Sequence, residues 1–202
     1  MRKANLMLKI LVICPWLFLL VACNPLENDT KALSTLVVEA LSGTDTEGNE
    51  RNFVQSDVQK IDKNTSTAYV TADIGKATLS AKMLDPLPKY GTSSYADIQL
   101  TRYVVTFTRS DGKNTPGIDV PYPIEGSVSA LVKVDVQSSV TFVIVKEVSK
   151  LEPPLLNLVQ NRADGVINVT AKIDLYGHDL LNKNVKATGY ISVFFANYFD
   201  KE

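Results

Sequence analysis

The only histidine of this 202-residue chain, His178, stands beside Asp179 in the segment YGHDLL. A hydrolytic triad would use such a histidine as its base, together with a serine and an orienting carboxylate. The neighbouring residues supply no serine, so we expect His178 to be solvated or to cap its own turn. Glycine-rich phosphate loops of the G-x-G-x-x-G or lysine-bearing type do not occur either.

Carboxylates are the second group that could do chemistry. The loop GTDTEGNE, residues 43–50, offers oxygen ligands for calcium, but their spacing fits no EF-hand, so we expect a solvated connection between strands. A glycosidase would need two acids facing each other across a cleft. Asp135, Glu147 and Asp174 fall in predicted strands, where we expect them to be solvated surface charges.

The segment RSDGKNTPGIDVPYP, residues 109–123, combines turn-forming dipeptides with an aromatic residue. Asp111-Gly112 suits a tight turn and Pro116-Gly117 a type II turn, while the flanking prolines keep the chain around Tyr122 extended. A stiff loop with an exposed aromatic side chain binds partners with little loss of entropy. We therefore predict a candidate partner-binding loop with Asp111, Pro116 and Tyr122; the alternative is a crossover between sheets with Tyr122 packed on the edge of the core.

The N-terminal segment has the features of a secretory signal. Basic residues are followed by an almost wholly apolar stretch, residues 10–22. Its end, Leu20-Val21-Ala22-Cys23, resembles the lipobox of bacterial lipoproteins, in which the chain is cleaved before a cysteine that carries lipid. The resemblance implies cleavage between Ala22 and Cys23, lipidation of Cys23 and, since Asn24 rather than aspartate follows, the outer membrane. The alternative is an uncleaved membrane helix.

Cleavage would remove Cys14 and the only tryptophan, Trp16, and leave 18 basic and 22 acidic residues, a net charge near −4. The mature chain would then have no disulfide and too few nitrogen and sulfur ligands for structural zinc. Nucleic-acid binding is not expected, since no basic cluster is present. We predict no metal and no cofactor.

Beyond the signal, residues 23–33 are predicted to be a lipidated cysteine and tether, and residues 34–202 a single folded domain. Alternation of apolar and polar residues dominates this domain and predicts strands. It is clearest at 167–175 and 185–195, which we expect to form an antiparallel hairpin around GHDLLNKN. Three further strands are predicted at 97–108, 127–136 and 139–148; SVTFVIV in the last is typical of a strand covered on both faces.

Residues 68–83 leave two interpretations open, because the apolar positions change parity at Gly75. A bulge there would give one long strand, and a turn would give two. Seven to eight strands in one domain predict an all-β, antiparallel two-sheet β-sandwich of immunoglobulin-like type, with an eight-stranded β-barrel as the alternative. Pro153-Pro154 and the leucines after it are predicted to be an extended crossover.

Residues 97–196, with the segments TRYVVTFTRSDGKNTPGIDVPYPIEGSVSALV, EPPLLNL and DLYGHDLLNKNVKATGYISVFF, look like an arrangement found in a family of bacterial lipoproteins of undefined activity. The resemblance implies a β-sandwich of immunoglobulin or transthyretin type and a lipid anchor, and it transfers no functional residue. The expected function is a structural or protein-interaction role in the cell envelope, without enzymatic activity. A carrier of a small apolar ligand and, less favoured, a hydrolase are the alternatives.

Overall fold

A computed structural model describes residues 31–62, 64–85, 91–160 and 165–198. These residues form an all-β fold with two short helices, α1 (Glu147–Lys150) and α2 (Leu155–Gln160). The strands are β1 (Ser34–Thr44), β2 (Glu50–Arg51), β3 (Phe53–Asp57), β4 (Lys60–Ile61), β5 (Ala68–Tyr69), β6 (Asp73–Met83), β7 (Ile98–Thr108), β8 (Ile124–Val132), β9 (Ser138–Val145), β10 (Ile167–Asp179) and β11 (Asn184–Ala196).

The strands form two main sheets and one small hairpin. One sheet has the order β2-β1-β6-β9 and is antiparallel. The other has the order β3-β11-β10-β7-β8 and is antiparallel except that β3 pairs with β11 in parallel. The predicted hairpin is confirmed as β10 and β11, with Val169 opposite Val193 and Ile173 opposite Gly189. The predicted strands 97–108, 127–136 and 139–148 correspond to β7, β8 and β9.

The core lies between the two sheets. The inward positions of β6 and β9, such as Leu79 and Phe142, meet those of β7 and β10 in one buried apolar cluster. The Tyr103 and Phe142 rings lie 5.2 Å apart across this interface, and the Tyr103 hydroxyl accepts a hydrogen bond from the Val143 N–H at 3.2 Å. The prediction of an all-β sandwich is confirmed.

Several local predictions were wrong. Residues 68–83 form neither one bulged strand nor two strands joined at Gly75: β5 ends at Tyr69 and β6 begins at Asp73. Gly75 lies inside β6 under the Phe142 ring, and the irregularity falls between Asp73 and Ile74. Ile74, one of the apolar positions before Gly75, is 45% exposed.

Two further elements differ from expectation. The strand β9, predicted to be covered on both faces, pairs only with β6 and lies at the edge of its sheet, with Ser139 and Thr141 exposed. The predicted extended crossover at Pro153-Pro154 instead leads directly into α2, because the leucines there bury one helical face, Leu155 and Leu158.

The sandwich has two distinct ends. At the N-terminal end, β1 begins, β6 and β10 end, and the Leu33 N–H donates to the Asp179 carboxylate at 3.0 Å. At the opposite end, β1, β3 and β7 end and the helix α1 is attached. In the described ranges, no helix has the length and apolar character needed to cross a membrane.

Candidate interaction site

The predicted lipidation residue Cys23 and the cleavage residue Ala22 lie outside the described residues. Asp111, Pro116 and Tyr122 all lie in the segment 109–123, called here the β7–β8 loop, at the end of the sandwich opposite the N-terminal end. This loop joins two neighbouring antiparallel strands of one sheet. The alternative of a crossover between sheets was therefore wrong.

The first half of the β7–β8 loop is organised around Asp111. Its carboxylate accepts hydrogen bonds from the Arg109 guanidinium at 2.5 and 3.1 Å and from the Lys113 N–H at 3.1 Å. These hydrogen bonds, with that from Arg109 strongest, lower the pKa of Asp111. Asp111 therefore shapes its own loop, and Gly112 makes the turn at a φ of +82°.

The second half contains the predicted turn at Pro116-Gly117. The Ile118 N–H donates to the Thr115 carbonyl at 3.2 Å, and Gly117 has a φ of +77°, as a type II turn requires. Asp119 reinforces it by accepting a hydrogen bond from the Thr115 N–H at 3.1 Å. A side chain on Gly117 would overlap the Tyr122 ring, so this ring packs directly on the glycine.

Two large apolar side chains protrude from this hydrogen-bonded loop. Tyr122 is 56% exposed and Ile118 is 69% exposed, while Val120 and Pro121 between them are buried and fix the loop to the core. The alternative in which Tyr122 packs on the edge of the core was wrong, because its ring is exposed and packs on Gly117. Sequence reasoning missed Ile118, although an isolated isoleucine between Gly117 and Asp119 was a signal.

The acidic loop 43–50 is held by its own hydrogen bonds. The Asp45 carboxylate accepts hydrogen bonds from the Glu47 and Asn49 N–H groups and pairs with Arg51 at 3.0 Å. Desolvation opposes ionisation, but these donors outweigh it and lower the pKa of Asp45 to about 2. Glu50 pairs with Lys76 at 3.2 Å. No cluster of three or more metal-ligating side chains occurs in the described ranges.

His178 lies inside strand β10, because that strand extends to Asp179 and leaves only residues 180–183 as the turn. Its Nδ1 donates to the Asp179 carbonyl at 2.9 Å. Asp179 is the residue that shapes the turn: it is fully buried and accepts hydrogen bonds from the Leu181 and Lys183 N–H groups, both at 2.9 Å.

The three carboxylates predicted to lie in strands, Asp135, Glu147 and Asp174, do not form one cluster in the part of the chain that the structure describes. Asp135 follows β8 at a φ of +58°, and Glu147 begins α1 rather than lying in a strand. Asp174, expected to be solvated, is only 7% exposed, because Lys172 and Lys186 cover it at 3.1 and 3.2 Å. Desolvation raises the pKa of Asp174, but hydrogen bonds from Thr188 and both lysines outweigh it and lower the pKa overall.

A buried polar cluster was not predicted. The Lys150 ammonium has no exposed side-chain surface and donates to Asp73 Oδ1 at 3.0 Å and to the Asp57 carbonyl at 2.8 Å. The Ser56 hydroxyl donates to the other Asp73 oxygen at 2.5 Å. Burial raises the pKa of Asp73, and the charge of Lys150 opposes that increase. The cluster fastens α1 to the ends of β3 and β6.

A shallow, open depression lies over the outer edge of strands β7 and β8, lined by Gln99, Leu100, Thr101 and residues 127–129. It is open to solvent, and its floor includes Leu100 of the core. Its shape gives no support to the alternative of a carrier, which would enclose an apolar ligand.

Comparison of the chain with protein families, curated proteins and solved structures finds no match.

Proposed function

We propose that this protein is a lipid-anchored component of the bacterial outer membrane with a structural or protein-interaction role. Cys23 carries the lipid after removal of residues 1–22, residues 23–33 form the tether and the β-sandwich presents the β7–β8 loop to an envelope protein. The proposed role is non-enzymatic and needs neither cofactor nor nucleic acid. The lipobox resemblance supports the anchor.

The observation that carries the interaction role is that Ile118 and Tyr122 are both exposed on a loop whose backbone is fixed by hydrogen bonds, with the Tyr122 ring packed on Gly117. Exposed apolar side chains that are already held in place lose little conformational entropy on binding. Tyrosine is one of the residue types enriched among the few side chains that provide most of the binding energy of an interface. The loop lies at the end of the domain opposite Leu33, so a tether at the N-terminal end leaves it accessible.

The test is site-specific photo-crosslinking in cells that produce the full-length protein. A photoreactive amino acid replaces Ile118 in one variant and Tyr190 in a matched control. Tyr190 is 64% exposed on the sheet surface and lies outside the loop. We expect a discrete crosslinked envelope protein from position 118 and none from position 190. Identical crosslinking from both positions would contradict the proposed role of the loop.

A further inference from the structure

We propose that the N-terminal end of the sandwich rests on the lipid surface through an apolar patch, so that the domain has a fixed orientation on its membrane. The N-terminal patch consists of Leu33, Leu84, Tyr95, Leu180 and Leu181. This inference rests on the proposed lipid anchor, and its occupant is the bilayer to which Cys23 is attached.

The five residues of the N-terminal patch come from the segment before β1, the β6–β7 connection and the β10–β11 turn. Hydrogen bonds hold these three segments together. The Leu84 N–H donates to the Leu33 carbonyl at 3.0 Å, and the Leu180 N–H donates to the Tyr95 carbonyl at 3.1 Å. The Asp179 carboxylate joins the two pairs by accepting hydrogen bonds from the Leu33 and Leu181 N–H groups. These hydrogen bonds therefore bring the backbones of all five residues together at one end of the sandwich.

All five side chains are exposed, from 38% at Leu33 to 58% at Tyr95. One exposed leucine is ordinary on a soluble domain, but a group at one place marks an interaction surface. Leucine side chains enter the boundary between headgroups and acyl chains, and tyrosine is enriched at that depth because its ring is apolar and its hydroxyl polar.

The position of the proposed lipid anchor is the reason for choosing the bilayer as the binding partner of the N-terminal patch. Leu33 belongs to the patch, and only residues 24–32 separate it from Cys23. Ten peptide steps span at most about 36 Å even when fully extended. The tether therefore keeps the patch at high effective concentration beside the membrane.

The length of the strands keeps the opposite end of the sandwich away from the membrane. Strand β1 runs for 11 residues from Ser34 to Thr44, which corresponds to about 36 Å. With the N-terminal patch on the lipid surface, the β7–β8 loop points away from it. The orientation thus gives the interaction loop its access to partners.

The experiment uses the full lipidated protein in vesicles of phosphatidylethanolamine and phosphatidylglycerol. Cys14 is lost with the signal and Cys23 is acylated, so one introduced cysteine can be labelled with an environment-sensitive fluorophore. The test variants are Leu181→Cys and Leu84→Cys, which sample different connections of the patch. The control is Thr46→Cys, an exposed site just beyond the end of β1.

Membrane contact predicts a blue-shifted emission at positions 181 and 84 and quenching by nitroxide-labelled lipids, with neither effect at position 46. Water-like emission at all three positions would overturn the inference while leaving the lipid anchor intact. Energy transfer between copies without lipid quenching would show a second copy on the patch and would also overturn it. Failure of the protein to float with vesicles would overturn the anchor and the inference together.

Discussion

At the scale of single residues, the buried Lys150 is the feature with the largest expected effect on stability. Its ammonium is compensated by one carboxylate and one carbonyl, from Asp73 and Asp57. The sequence could not predict this, because nothing next to Lys150 distinguishes it from a surface lysine and its partners lie 77 and 93 residues away. A charge is buried only where partners meet it, and sequence spacing carries no such information.

Replacing Lys150 by methionine removes the cation and leaves Asp73 buried. We expect the free energy of unfolding to fall by about 3 kcal/mol at neutral pH, the usual cost of breaking a buried pair from one side. The matched control, Lys146→Met, changes an exposed lysine of the same segment and should cost under about 0.5 kcal/mol. Urea denaturation measures both.

The pH dependence of Lys150→Met follows from the remaining carboxylate. Burial already raises the pKa of Asp73 above 3.8, and loss of Lys150 removes the larger of the two lysine charges that oppose this increase, the other being Lys60. A carboxyl group whose pKa is higher in the folded than in the unfolded protein stabilises the fold at pH values below its unfolded-state pKa. This stabilisation is lost as the pH rises through its folded-state pKa. The loss of unfolding free energy in Lys150→Met, relative to the wild type, should therefore become smaller as the pH is lowered towards 3.8. A loss that stays constant with pH would contradict this explanation.

At the scale of elements, regular alternation of apolar and polar residues made the β10–β11 hairpin predictable, and an interruption of the alternation hid strand β1. Strand β1 has a register shift between Val38 and Ala40, so its inward positions change parity, and no strand was predicted there. Strand β7 was predicted even though its inward positions also change parity between Leu100 and Arg102. Strand β3 pairs in parallel with the distant β11, a pairing that local patterns do not encode.

The β7–β8 loop permits a sharp test of how it is stiffened. Gly112 and Gly117 both have positive φ, but only Gly117 lies under the Tyr122 ring. We expect Gly112→Ala to lower the free energy of unfolding by about 1 kcal/mol, the usual cost of the left-handed conformation. Gly117→Ala should cost distinctly more, because the ring must also leave its place.

For both variants, thermal unfolding measures the loss of stability, and the NMR signals of the Tyr122 ring report whether the ring has moved. Displacement of the ring in Gly117→Ala alone is the expected result. Equal losses of stability, with the ring signals unchanged in both variants, would show that the contact between Tyr122 and Gly117 contributes nothing to the loop.

At the scale of the whole molecule, the two ends of the sandwich have different tasks in the proposed account. The chain enters at Leu33, beside the N-terminal patch, and Ile118 and Tyr122 protrude at the opposite end. Composition and alternation predicted the sandwich, but not this division, because it depends on which loops the topology gathers at each end. The anchor itself was inferred from the short segment that ends at Cys23.

The central claim is that the protein is held to its membrane by lipid on Cys23, and the mass of the intact protein extracted from that membrane tests it directly. We predict a mass that lacks residues 1–22 and includes added acyl chains, and a Cys23→Ser variant that lacks both changes. An unprocessed full-length mass would contradict the claim and make the N-terminal segment a membrane helix.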